Sequence, residues 1–289
     1  RGLNEIISFT FISPKKYISK DYLKNPPTIN NPISIDMSIM RNSLLPNLLD
    51  SAAKNLSKGM DNIRLFEVGY IFEGCSYEDQ KLNLGLVLSG YSSKRSWHLK
   101  RRYYDFFDIK SVLMETLGCL NINNFKIKRS DQPWFHPGKS ADISVGELVI
   151  GSFGEIHPEI AKKFNLKNPT VLGQIDLQQI ENLYHFDKKN KPKRLSPFLI
   201  LKKDFSFLLP ADKTANDLIR VIKSSDNLIG DITIFDVYRE EKNESVLVYL
   251  GIEVQIKQTN KVLNSDEIGL IMDTIVRNAK DQLGAQLRG

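Results

Sequence analysis

The sequence predicts an α+β protein in two parts, an antiparallel sheet dressed with helices followed by a smaller domain of βαββαβ order. Three observations carry that expectation. Apolar runs of period two and runs of 3.6-residue periodicity are interleaved along all 289 residues. The stretch from Asp187 to Arg194 is dense in Lys and Arg and holds no large apolar residue, so residues 1–187 and 197–289 read as domains and 188–196 as a basic linker. Beyond it the pattern runs strand, helix, strand, strand, helix, strand.

Composition narrows the function classes. A net charge of +6 is compatible with an RNA partner but does not argue for one. Two cysteines, Cys75 and Cys119, are too few for a disulfide framework or a zinc knuckle, which fits a reducing cytosol. No apolar run reaches membrane-spanning length and no secretory segment opens the chain, so a cytoplasmic protein without a membrane partner is expected. The chain starts at Arg1-Gly2-Leu3, which reads as a piece of a longer or processed polypeptide.

In the first part, Asn4 to Phe11 reads as a short strand ending at Ser13-Pro14. Ser13-Pro14-Lys15-Lys16 fits the Ser-x-x-Lys pattern of activated serines, but without its partner motifs it reads as a turn with a basic edge. Asn30 to Ser34 is extended, because Pro32 fixes its own φ and pushes Asn31 out of the helical region. Pro46 suits a first helical turn, and Leu48, Leu49, Ala52, Ala53 and Leu56 recur behind it at helical spacing. Gly59 to Asn62 breaks the pattern, Ile63 to Phe72 is a strand, and Leu82 to Gly90 is a strongly apolar strand closed by a turn.

Tyr91 to Arg102 is polar and basic, and Lys94, Arg95, Lys100, Arg101 and Arg102 read as a solvated loop before RNA ligands. Asp105-Phe106-Phe107-Asp108-Ile109-Lys110 opens a helix with Val112, Leu113, Thr116 and Leu117 on one face, and Asp108 complements its N-terminal dipole. Strands are expected at Ile143–Val145 and Leu148–Ile150, with glycine-bearing turns between two His-Pro pairs, His136-Pro137 and His157-Pro158. No Cys or carboxylate lies at ligand spacing from either histidine, so each imidazole is expected to tie its turn to the backbone; Asp142 and Glu155 are lone carboxylates, poor candidates for general acids. A short helix from Glu159 to Phe164 and a strand from Val171 to Leu177 close this part.

The second part has strands at Leu201–Leu209, Ile229–Tyr238 and Ser245–Ile256, the last two joined by a polar turn from Glu240 to Glu244. Thr214 caps a helix burying Leu218, Val221 and Ile222, and Asn264 or Ser265 caps a long helix from Ile268 to Leu283. Ala285 to Arg288 is the last edge strand. That order is a ferredoxin-like split βαβ, whose two helices cover one sheet face and leave the other for a partner.

Two stretches identify a family. Asn31-Pro32, Met40-Arg41-Asn42-Ser43-Leu44-Leu45-Pro46-Asn47-Leu48-Leu49 and Arg64-Leu65-Phe66-Glu67-Val68-Gly69-Tyr70-Ile71-Phe72 resemble the β subunit of bacterial phenylalanyl-tRNA synthetase, in its catalytic-like module. Lys202-Lys203-Asp204-Phe205, Phe235-Asp236-Val237-Tyr238-Arg239 and Gly284-Ala285-x-Leu287-Arg288-Gly289 resemble the ferredoxin-fold anticodon-binding domain that ends the same subunit. The resemblance implies a class II synthetase fold without chemistry, because Glu73 stands where active class II enzymes place an arginine on the ATP α-phosphate. It implies no catalytic, metal or cofactor residues in this stretch, although the whole enzyme uses ATP and Mg²⁺. The implied partners are a catalytic α subunit in an α2β2 heterotetramer and tRNA-Phe, the latter met by Lys202, Lys203, Tyr238, Arg239 and Tyr249. Two other readings stay open here: a stand-alone RNA-binding or regulatory protein on the ferredoxin-like module, and a synthetase active by itself.

Overall fold

In the computed structural model the expected first strand is broken into β1 (Asn4–Glu5) and β2 (Phe11–Ile12). The break has a cause: Ser8 turns its N–H and hydroxyl onto the Glu67 carboxylate, at 3.3 and 2.7 Å, which draws the chain off the sheet edge. The structure describes residues 2–16, 27–122, 124–183, 197–210, 212–242, 245–258 and 262–288. The chain divides into two compact units, Arg1–Lys189 and Asn190–Gly289. The basic linker expected at 188–196 lies outside the described residues.

Ser13 donates its hydroxyl to Asp36 at 3.0 Å and accepts the Lys15 N–H, while Lys16 pairs with Asp50 at 2.9 Å, so the Ser-x-x-Lys run is a turn with a basic edge. The arm then returns as β3 (Ile39–Met40) against β2 and enters α1 (Leu45–Ser57) with Pro46 in its first turn. Leu48, Leu49 and Ala52 are fully buried beneath α1. β4 (Asn62–Phe72) and β5 (Gln80–Gly90) follow as an antiparallel pair along their whole length.

α2 (Phe106–Cys119) is capped by Asp105, whose carboxylate accepts the Phe107 and Asp108 N–H groups while Asp108 answers onto the Asp105 N–H. β6 (Lys126–Arg129), β7 (Phe135–Val145) and β8 (Leu148–Ile156) come next. Both long strands reach beyond the segments legible in the sequence, and the supposed glycine turn at Gly151–Gly154 is strand. The reason sits on neighbouring strands: a Cβ on Gly151 would meet the Gln174 carbonyl at 2.7 Å, and one on Gly154 the Lys139 carbonyl at 2.6 Å. α3 (Pro158–Lys163), β9 (Thr170–Asp176) and a helix the sequence did not announce, α4 (Leu177–Leu183), complete the described part of the unit.

The sheet order is β1-β4-β5-β9-β8-β7-β6, antiparallel except for the β1–β4 pair. One face packs α1 with Ile63, Leu65, Val87, Leu172 and Phe135; the other packs α2 with Leu84, Leu86, Ile143, Phe153 and Ile175. Past the end of α1 no described helix covers the first face, and its lining turns largely polar. There Glu73, Lys81, Asn83, Gln132, Gln174 and Asp176 line a cavity of about 210 Å³.

The second unit follows the expected order: β10 (Leu201–Leu209), α5 (Ala215–Ser225), β11 (Ile229–Lys242), β12 (Ser245–Ile256), α6 (Ser265–Leu283) and β13 (Gln286–Leu287). Thr214 and Asn264 cap the helices with reciprocal Asp217 and Glu267 side chains. Of the polar turn expected at Glu240–Glu244, residues 240–242 are strand, paired with β12 as far as Lys242; residues 243–244 lie outside the described set. The sheet is fully antiparallel in the order β11-β12-β10-β13, the ferredoxin-like arrangement. Phe205, Phe207, Leu250, Ile252 and Val254 pack against Leu218, Ile222, Ile271 and Ile275, so both helices lie on one face.

Candidate nucleic-acid interface

Strand alternation decides which side chains the uncovered face of the second unit presents. Along β10 the buried residues are Phe205, Phe207 and Leu209, so Lys202, Asp204 and Ser206 point away from the helices while Lys203 shares the helix-covered side. The register agrees, because Lys203 lies opposite buried Val254. Tyr238 on β11 stands directly opposite Tyr249 on β12, and both face outward with ring centroids 5.9 Å apart. Arg239 lies opposite Val248, on the helix side. Of the five residues the sequence nominated, the structure therefore brings Lys202, Tyr238 and Tyr249 onto one surface and puts Lys203 and Arg239 on the other.

Two residues were missed. Arg288 donates its N–H to the Ser206 carbonyl at 2.8 Å and carries its guanidinium carbon 5.2 Å from the Tyr249 ring centre. Phe235, 60% exposed, sits at the β11 irregularity between Ile234 and Asp236 and lies over Gly251, where a Cβ would meet its ring at 2.9 Å. Both stand in stretches that carry the resemblance though neither was nominated as a contact, and a glycine inside an alternating apolar strand was a further signal for Phe235. Carboxylates temper the surface: Lys202 pairs with Glu253 at 3.0 Å, and the Tyr249 hydroxyl reaches Glu240 at 3.3 Å. The arrangement offers Phe235, Tyr238 and Tyr249 as stacking rings with Arg288 and Lys202 beside them. Flat rings beside cations suit unstacked bases on a phosphate backbone.

The histidines and lone carboxylates that the sequence singled out in the first unit supply no comparable chemistry. His136 Nδ1 accepts the Gly138 N–H at 3.1 Å and His157 Nδ1 the Glu159 N–H at 3.3 Å, so each imidazole ties its own turn, as expected. Glu155 pairs with Lys139 at 2.6 Å. Burial pushes the Asp142 carboxyl above the usual range, and the neighbouring Asp131 carboxylate pushes the same way. In the polar cavity, Glu73 pairs with Lys81 at 2.6 Å, so the lysine there is already committed to a carboxylate. With Asp176 on the same wall, this donor set does not fit a triphosphate. Among the described residues no three His, Cys, Asp or Glu side chains gather to hold a metal ion, and no helix is long and apolar enough to cross a membrane.

Comparison with known proteins covers both units. Residues 1–177 match the family model described as the phenylalanyl tRNA synthetase beta chain CLM domain, and residues 196–288 the ferredoxin-fold anticodon binding domain. The chain is 34% identical over 296 residues to a phenylalanine–tRNA ligase beta subunit from Carboxydothermus hydrogenoformans, covering 99% of this chain and 37% of that protein. It is 34% identical over 295 residues to the one from Zymomonas mobilis, covering 99% and 36%. It thus spans a little over a third of the length of these relatives. Among solved structures, two pyrrolysyl tRNA synthetase chains of Desulfitobacterium hafniense align over 63% of each chain at 18% identity, with TM-scores of 0.49 and 0.48.

Proposed function

This chain belongs to the phenylalanyl-tRNA synthetase β-chain family, and we propose that it is the part of a phenylalanine–tRNA ligase β subunit that assembles with the catalytic α subunit and holds the anticodon region of tRNA-Phe. The enzyme so formed, an α2β2 heterotetramer in the cytoplasm, attaches phenylalanine to tRNA-Phe at the expense of ATP, with ATP and Mg²⁺ bound outside this stretch. Matches along both units, and not along the ferredoxin-like one alone, favour this over a stand-alone RNA-binding protein. The observation that carries the RNA-binding half is the uncovered sheet face with Phe235, Tyr238 and Tyr249 beside Arg288. Base–aromatic stacking is worth about 1–3 kcal/mol per base, enough for one ring to govern affinity.

The test is binding of a tRNA-Phe transcript to the 289-residue chain at moderate salt. Tyr249→Ala is expected to weaken binding about tenfold, and Lys202→Glu to weaken it while flattening its salt dependence. Lys203→Glu, on the helix side, separates the two faces. If it weakens binding and Tyr249→Ala does not, the uncovered face is not the RNA surface. Co-purification with the α subunit tests the other half, and a chain that never associates with α removes it.

A further inference from the structure

We infer that the loop after β5, residues 92–102, is a second RNA-binding element, in which Trp97 stacks on an unpaired base and Lys94, Arg95 and Lys100 hold the flanking phosphates. It rests on the reading above only in taking RNA as the partner. From Tyr91 to Tyr104 the chain carries five Lys and Arg and no Asp or Glu. Two of the five are consumed by the loop's own foundation. Arg102 forks onto the Asp108 carboxylate at 2.6 and 2.7 Å, and Arg101 pairs with Asp61 while its guanidinium carbon lies 3.6 Å from the Tyr91 ring centre.

Tyr91 also stacks on Tyr103 at 4.4 Å, which leaves its ring between Tyr103 and Arg101, because one face cannot hold both. The Ser92 N–H donates to the Arg102 carbonyl at 2.9 Å, and Arg64 donates to the Ser92 carbonyl at 2.7 Å. The base of the loop is thus pinned. Its tip is the reverse. Trp97 is 97% exposed, Leu99 is 54% exposed, and Lys94, Arg95 and Lys100 are exposed without an ion pair among the described residues.

The Trp97 indole meets the His98 ring edge-on at 5.3 Å and otherwise stands in water, so it adds little to folding, and with exposed Leu99 beside it on a pinned loop the patch points to a partner. What surrounds it names the class. Three unneutralised cations flanking one flat ring, with no carboxylate between them, match the charge and the π-face of an RNA strand. A pinned base also lowers the ordering cost of binding.

Trp97 supplies its own probe. The chain has two tryptophans, and Trp134 is buried at 4% exposure, so water-exposed emission comes from Trp97. Titrating the full chain with tRNA-Phe transcript is expected to quench that emission. Trp97→Ala is expected to weaken binding about tenfold, with an unchanged circular dichroism spectrum. The Lys94→Gln, Arg95→Gln and Lys100→Gln combination is expected to reduce the slope of log affinity against log salt by about 2. Loop variants that bind tRNA like the unaltered chain, while Tyr249→Ala still fails, overturn this inference and leave the uncovered sheet face standing. Weak binding by the loop variants with Tyr249→Ala unaffected keeps the loop and removes that face. Loop variants that keep RNA affinity but no longer co-purify with the α subunit mark a protein contact, and that also overturns it.

Discussion

Arg41 and Glu67 form an ion pair whose side chains are only 3% exposed, with an Arg41 nitrogen 2.6 Å from the carboxylate. Removing both charges from water costs several kcal/mol per ion, and the site offsets this by satisfying nearly every polar atom. Arg41 also donates to the Tyr70 carbonyl at 2.9 Å and to the Ser8 hydroxyl at 3.0 Å. Ser8 in turn donates its hydroxyl hydrogen bond to Glu67 and accepts a further bond from Asn47 at 2.7 Å. The network joins the N-terminal arm, the start of α1 and β4 at one point. Arg41→Met would leave a buried, unpaired carboxylate and is expected to cost about 3–5 kcal/mol. Urea unfolding of the first unit reads it, and a loss under 1 kcal/mol would show that water reaches Glu67 after all. The sequence placed Arg41 and Glu67 in one pattern, but their pairing was not legible, because it depends on how a separate arm folds back over β4.

At the scale of elements, local chemistry was readable wherever its cause was local. Pro46 opened α1, and Thr214 and the Asn264-Ser265 pair marked helix starts, with Asn264 proving to be the cap; at α2 the sequence assigned Asp108 to the dipole, and the capping box with Asp105 is the structure's addition. Strand ends were misjudged where the cause lay across the sheet. Gly151 and Gly154 look like turn residues in one dimension, and only the carbonyls of adjoining strands show why they are strand. Gly85 makes the same point quantitatively. A Cβ there would come within 2.7 Å of Leu48 Cδ1 and 2.8 Å of Leu44 Cβ, so α1 seats directly on β5 because that residue has no side chain. Gly85→Val is expected to destabilise by about 1–3 kcal/mol through overpacking, seen as a lower melting temperature. An unchanged melting temperature would mean that α1 shifts freely over the sheet.

For the whole chain, the order of elements and the two-part plan came from periodicity, and the family came from two ordered motifs. The functional surface was only half legible. Rings and cations were nominated by type, but whether Lys203 and Arg239 share a face with Tyr249 is fixed by register against β12, a pairing between segments distant in sequence. The proposed loss of chemistry is likewise a property of the assembled sheet, where Glu73, Lys81 and Asp176 meet from three strands or their ends. The chain alone, given ATP, phenylalanine and tRNA-Phe, is therefore expected to show neither pyrophosphate exchange nor charged tRNA. Turnover by the pure chain without its partner would sink that reading.

If the chemistry is lost as proposed, the Glu73–Lys81 pair makes the road back to activity a steep one. Restoring a guanidinium by Glu73→Arg would set it against an ammonium whose present neighbour is 2.6 Å away, so the first step of any revival meets repulsion before it meets a nucleotide. Replacing Lys81 as well would remove that repulsion, so the easier route takes two substitutions together, and a body given over to the proposed recognition would behave as a ratchet.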